Sequence, residues 1–136
     1  KVEEAAKNIG IHRFIKSLPG GYDYLVGERG VTLSTGQRQL IAFLRVYVRN
    51  PRILILDEAT SSIDTETKQL LQNALEKLAE NRTLIIIAHR LSTIRNADKI
   101  LLFKNGEIAE QGSHNDLMSQ KGIYQKMYSA QQFLEN

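Results

Sequence analysis

Two short apolar runs constrain this chain more than anything else in it: Ile53-Leu54-Ile55-Leu56 and Leu84-Ile85-Ile86-Ile87-Ala88. Neither alternates apolar with polar residues, which is the pattern of strands covered on both faces in a parallel sheet. Between them Leu70, Leu71, Ala74, Leu75 and Leu78 share one face at helical spacing. Strand, amphipathic helix, strand is the unit that joins parallel neighbours by a crossover. An α/β fold of parallel strands and crossover helices follows as the expectation.

The flanking segments extend this pattern. Residues 2–9 and 11–17 carry helix-period apolar positions interrupted by Gly10, and "LPGGYDYLVGERG" (18–30) is a glycine-rich connection with a short extended piece around Tyr24–Val26. Ser34 is a good N-cap for a helix over Thr35–Val48, which Asn50-Pro51 ends. Asp64 caps the helix before "TLIIIA" (83–88). A short helix over 91–95 leads to a strand over 99–103. Asn105-Gly106 is a two-residue hairpin turn into Glu107–Glu110, Ser113 opens a short helix, and Ile123–Phe133 forms the last one. No repeat or low-complexity segment interrupts the chain, which reads as one compact unit.

Bulk properties exclude some roles. A net charge of +3 over 136 residues gives no argument for nucleic acid. With no cysteine there is neither a disulfide framework nor a thiolate metal site. The apolar runs fall far short of the ~20 residues that span a bilayer. The amino terminus lacks a signal-peptide pattern, the first methionine is Met118, and Lys1–Ala6 reads as helix interior, so the chain is expected to be cut from something longer.

Function is concentrated at strand ends, where α/β sheets place their chemistry. Asp57 and Glu58 follow "ILIL", and His89 follows "LIIIA". Neighbouring strands would bring the three to one edge, an arrangement suited to metal-assisted phosphoryl transfer. One carboxylate holds Mg²⁺ through its water shell, the other orients or deprotonates a water, and the histidine contacts the terminal phosphate. By themselves the two acids suit equally well the capping of a following turn. "LSTGQ" (33–37) adds a serine hydroxyl and a glycine amide at a helix start, where free N–H groups and the helix dipole favour an anion. An ordinary N-cap would satisfy Ser34 as well.

Taken together and in order, these motifs resemble an ATP-binding cassette (ABC) ATPase. "LSTGQ" is similar to its signature, "ILILDE" (53–58) to the Walker B strand with its catalytic glutamate, and "SSID" (61–64) to the D-loop. "IAHRLST" (87–93) is similar to the switch-histidine loop, and "VGERG" (26–30) to the exporter-type loop that faces the membrane domain. "KNGEIAEQGSHNDL" (104–117) resembles the family's closing hairpin and helix. The resemblance covers essentially the whole chain and implies a P-loop NTPase-like core, present in part. About 1–50 would be its signature-bearing helical part and about 51–136 the C-terminal part of its catalytic core.

By resemblance, Asp57 holds the Mg²⁺ shell, Glu58 polarises the hydrolytic water and His89 senses the γ-phosphate. Ser34, Gly36 and Gln37 close over ATP on the opposite protomer of a head-to-tail dimer, and Asp64 links the two sites. Glu28 and Arg29 sit near a transmembrane partner, on the cytoplasmic face of a membrane. The implied function is ATP hydrolysis coupled to export.

Two departures bear on this. The phosphate-cradling loop G-x-x-x-x-G-K-[ST] does not occur: Gly30 and Gly36 are one residue too far apart, and Gln37 stands where lysine is needed. The segment alone is therefore expected to be inactive. Within the signature, Thr35 replaces a glycine common in the family and adds β-branched bulk, Leu40 stands where a basic residue is frequent, and Phe43, Leu44, Val46 and Tyr47 are bulky. Two other functions stay open: a non-transport ABC ATPase, and a dimerisation module that a nucleotide glues without efficient hydrolysis. His12 and His114 lack metal-ligand spacing and read as surface or capping residues, while Tyr124, Met127 and Tyr128 read as packing residues.

Overall fold

The structure is a computed structural model that describes residues 1–57 and 63–135. Where the sequence reads as one compact unit, the chain gathers into two, residues 1–86 and 87–136.

The first unit holds α1 (Val2–Asn8), α2 (His12–Ser17), α3 (Thr35–Arg49), β1 (Ile53–Asp57), α4 (Thr65–Ala79) and nearly all of β2 (Thr83–Ile87). Gly10, at φ +80°, separates α1 from α2. The Ile11 amide donates to the Ala6 carbonyl and the Gly10 amide to that of Lys7, a Schellman stop that a left-handed glycine permits. Its apolar companion is present, since Ala6 and Ile11 are both fully buried. They join Ile9, Leu40, Leu44, Ala74 and Leu78 in one core, where α1 and α4 pack on α3.

Asn50 ends α3 in the left-handed conformation (φ 51°), and its side chain accepts from Arg82 Nη2 at 2.7 Å. Arg82 also donates to the Leu78 carbonyl at 2.8 Å and lies 5.3 Å over the Tyr47 ring. One guanidinium thus ties the ends of α3 and α4 to the start of β2. The Thr83 amide then donates to the Arg52 carbonyl as β1 and β2 pair in parallel.

Burial of the strands departs from expectation. Both alternate: Leu54 and Leu56 pack on the core, whereas Ile53, Ile55, Ile85 and Ile87 are 61, 68, 50 and 54% exposed. Within the described residues, this unit's helices cover one face of the pair, so the apolar residues on the other stay in contact with solvent. The expected extended piece appears at Tyr24 (φ −60°, ψ 124°), though residues 24–27 pair with no strand among the described residues. The glycine-rich connection instead makes single-turn helices at Gly21–Asp23 and Glu28–Gly30, entered through left-handed Gly20 and Gly27.

In the second unit, β3 (Ile100–Lys104) pairs antiparallel with β4 (Glu107–Gly112), Phe103 lying opposite Ile108 and Leu102 opposite Glu110. Asn105 and Gly106 both have positive φ, as a tight hairpin turn with the strands' own twist requires. The ladder slips by one residue between Leu102 and Phe103. α5 (Leu91–Arg95), α6 (His114–Gln120) and α7 (Ile123–Glu135) complete this unit. Ser113 and Asp116 cap α6 reciprocally, and Glu110 accepts the first amides of α7, from Ile123 at 2.6 Å and Tyr124 at 2.9 Å. His12 and His114 are tied to tyrosines, His12 to Tyr22 at 2.9 Å and His114 to Tyr124 at 2.8 Å.

Candidate functional site

The best-defined part of the site is the start of α3. Ser34 Oγ accepts the Gln37 amide at 3.2 Å, and Gln37 Oε1 accepts the Ser34 amide at 3.0 Å, so the two form a capping box. The arrangement leaves the Ser34 hydroxyl proton and Gln37 Nε2 to donate. The amides of Thr35 and Gly36 lie in the first turn, where a helix has no acceptor of its own. No acidic residue occupies that turn. A fifteen-residue helix therefore presents its positive end, with donors, to whatever anion approaches.

Arg38, which sequence reasoning did not single out, braces this turn. Its Nη1 donates to the Leu33 carbonyl at 2.8 Å and its Nη2 to the Thr35 hydroxyl at 3.1 Å. Thr35 is thus exposed and held from the helix side by a cation. The aliphatic stem of Arg38 also lies against Gly30, where a Cβ would come within 3.2 Å of it. The signal was local, an arginine three residues after Thr35 on the same helical face. Leu40, Phe43 and Leu44 face inward instead, and Leu40 is fully buried, which accounts for their size in terms of the core.

Asp64 N-caps α4, its Oδ1 accepting the Thr67 amide at 2.8 Å. That backbone bond, with a second from the Thr67 hydroxyl, holds the Asp64 carboxyl below its ordinary range. Asp57 is the last residue of β1 and is exposed. Glu58, Ser61 and Ser62 lie outside the described residues. His89 belongs to the second unit, two residues beyond β2, and its carbonyl accepts from Gln131 Nε2 at 2.8 Å. The structure therefore brings Ser34, Gly36, Gln37 and Asp64 into one unit with Asp57, while His89 is held within the other.

The VGERG turn forms a separate surface of the first unit. Thr32 Oγ1 closes it onto the Val26 carbonyl at 3.1 Å, and Leu25 and Val31 on either side are 87 and 73% exposed. Next to it opens a mostly apolar cavity of about 380 Å³, lined among others by Tyr22, Tyr24, Val26, Ile41 and Arg45. No helix among the described residues is long and apolar enough to cross a membrane.

The profile of the ABC transporter family matches residues 1–61. The multidrug resistance protein pgp-1 of Caenorhabditis elegans is 55% identical over 131 residues, 96% of this chain and 10% of that protein. A Staphylococcus aureus protein (strain NCTC 8325 / PS 47), named for multidrug export with ATP-binding and permease functions, is 52% identical over 96% of this chain and 23% of its own. A bacterial Atm1-family ABC exporter, solved with ATP bound, superposes with a TM-score of 0.82 at 49% identity, over 96% of this chain and 23% of that one. The chain belongs to the ABC transporter family. It spans 10 to 23% of the length of these relatives, and it is part of a nucleotide-binding domain of the exporter type.

Proposed function

We propose that this segment serves the nucleotide-binding domain of an exporter that couples ATP hydrolysis to transport across a membrane. The observation that carries the reading is the capped, acid-free start of α3, whose free donors and positive helix end suit the phosphate of a nucleotide. The likeness to an ATP-bound exporter at 49% identity supports the same reading. Residues 1–50 would act as the signature-bearing helical part, and 51–136 as the C-terminal part of the catalytic core.

In this reading Ser34 and the Gly36 amide contact the terminal phosphate of ATP on the opposite protomer, and Gln37 holds Ser34 in place through the capping box. Asp57 would hold Mg²⁺, Glu58 would orient and polarise the attacking water, and His89 would contact the γ-phosphate. When bound, Mg²⁺ supplies the positive charge that offsets charge developing on the transferred phosphoryl group. Asp64 reaches across the dimer. Glu28, Arg29 and the exposed Leu25 and Val31 form the surface that meets the transmembrane domain at its cytoplasmic side.

Ser34→Arg in a P-loop-bearing protein that contains this segment tests the reading. ATP-driven dimerisation and hydrolysis should be lost, while each monomer binds ATP as before. Loss of monomer binding would place the signature in its own site. Retention of both dimerisation and turnover would reduce Ser34 to a helix cap.

A further inference from the structure

Gly36 occupies the first turn of α3 with ordinary helical φ, so no backbone strain calls for glycine there. Glycine in a helix is less stable than alanine by about 1 kcal/mol, so something else must favour it. The neighbours supply the reason. A Cβ on Gly36 would come within 2.6 Å of Thr67 Cγ2 and 2.9 Å of Ile63 Cγ2, closer than real Cβ contacts allow. Gly36 and Thr67 are both buried, Thr67 at 8% exposure. Thr67 turns its methyl to Gly36, and its amide donates to the Asp64 carboxylate at 2.8 Å. The turns of "LSTGQ" and of Asp64 thus touch through one threonine. Two helix starts, thirty residues apart in sequence, are pressed together where a methyl group would separate them.

We propose that Gly36 and Thr67 are positioning residues: the missing side chain at Gly36 seats the first turn of α3 on Thr67, and Thr67 holds Asp64, so the two turns of one chain keep a fixed relation. The functional consequence rests on the shared-site reading above. A nucleotide that draws the Ser34 turn toward itself carries Asp64 with it, because no slack exists between them. Gly36 is then needed for an intramolecular reason in addition to any contact with phosphate.

The test separates the two reasons by working without nucleotide. Amide hydrogen exchange over residues 63–70 is compared in a P-loop-bearing protein containing this segment and in its Gly36→Ala, Thr67→Ser and doubly substituted forms. Gly36→Ala pushes Thr67 away and loosens the Asp64 cap, so exchange should rise about ten-fold, the range a lost N-cap produces. Thr67→Ser removes the nearer obstructing methyl but leaves Ile63 Cγ2 at 2.9 Å, so the double form should recover part of the protection that Gly36→Ala loses. Unchanged exchange in Gly36→Ala, or a rise that Thr67→Ser does not lessen, overturns the proposal and leaves the shared-site reading intact. Should Gly36→Ala not fold, Thr67→Ala serves, since it removes the methyl on which the Gly36 turn is seated. It should weaken ATP-driven dimerisation while monomer binding of ATP stays as it was, and unaltered dimerisation would overturn the proposal.

Discussion

Ser34 caps α3 and, in the function proposed above, meets a phosphate, and two substitutions pull these roles apart. Ser34→Ala removes the oxygen that accepts the Gln37 amide at 3.2 Å. Losing such a cap costs about 1 kcal/mol of stability. Ser34→Asp restores an acceptor that caps as well as serine, and its charge suits the positive end of a fifteen-residue helix. Stability should then lie within about 0.5 kcal/mol of the parent. Toward a nucleotide the order reverses. A carboxylate about 4 Å from a phosphate repels it by roughly 4 kcal/mol at an effective dielectric of ~20. That is about a thousand-fold in association, less at high salt. Urea unfolding and sedimentation with ATP, on the same P-loop-bearing protein, give the two readouts. Ser34→Ala should be the less stable and the better dimeriser, and Ser34→Asp the converse. If Ser34→Asp dimerises like the parent, no phosphate approaches Ser34. If both assays rank the variants alike, dimerisation follows folding alone.

Two further outcomes follow from the chemistry of the site. Glu58→Gln should retain ATP binding and lower hydrolysis by at least ~10², because the amide keeps the shape but no longer draws a proton from water. Turnover within a few-fold of the parent would remove Glu58 from the mechanism. Residues 1–136 alone should show no specific ATPase activity and only weak affinity for Mg-ATP by calorimetry, since phosphate binding depends on backbone amides and a lysine that this sequence lacks. Tight binding would refute that dependence.

Local signals proved sufficient for most elements. Ser34 and Asn50-Pro51 bracket α3 at Thr35–Arg49, Asp64 caps α4, and Asn105-Gly106 turns β3 into β4. Each is a contact between residues a few positions apart, which is what a sequence displays directly. What stayed hidden depends on distant partners. Nothing near Gly36 announces Thr67, thirty-one residues on, nor does Glu110 announce the α7 amides it accepts. The tyrosines bonded to His12 and His114 are hidden for the same reason. In the site, Ser34 and Gln37 were legible as a pair because the capping box is a local motif. Arg38 was equally local, three residues after Thr35, but no short motif pairs an arginine with that hydroxyl and the Leu33 carbonyl.

The exposed isoleucines connect fold to chemistry. Ile53, Ile55, Ile85 and Ile87 are apolar where this chain's own helices leave them at least half exposed. Burying a side chain of that size is worth about 1.5–3 kcal/mol, so four of them in water are a large unused driving force. The same strand ends in Asp57, which is exposed as well. A carboxylate in water attracts a cation weakly, and the same carboxylate beside a covered sheet attracts it several times more strongly, because the effective dielectric falls. In the reading proposed above, in which Asp57 holds a metal, whatever covers these isoleucines would also set how firmly it does so.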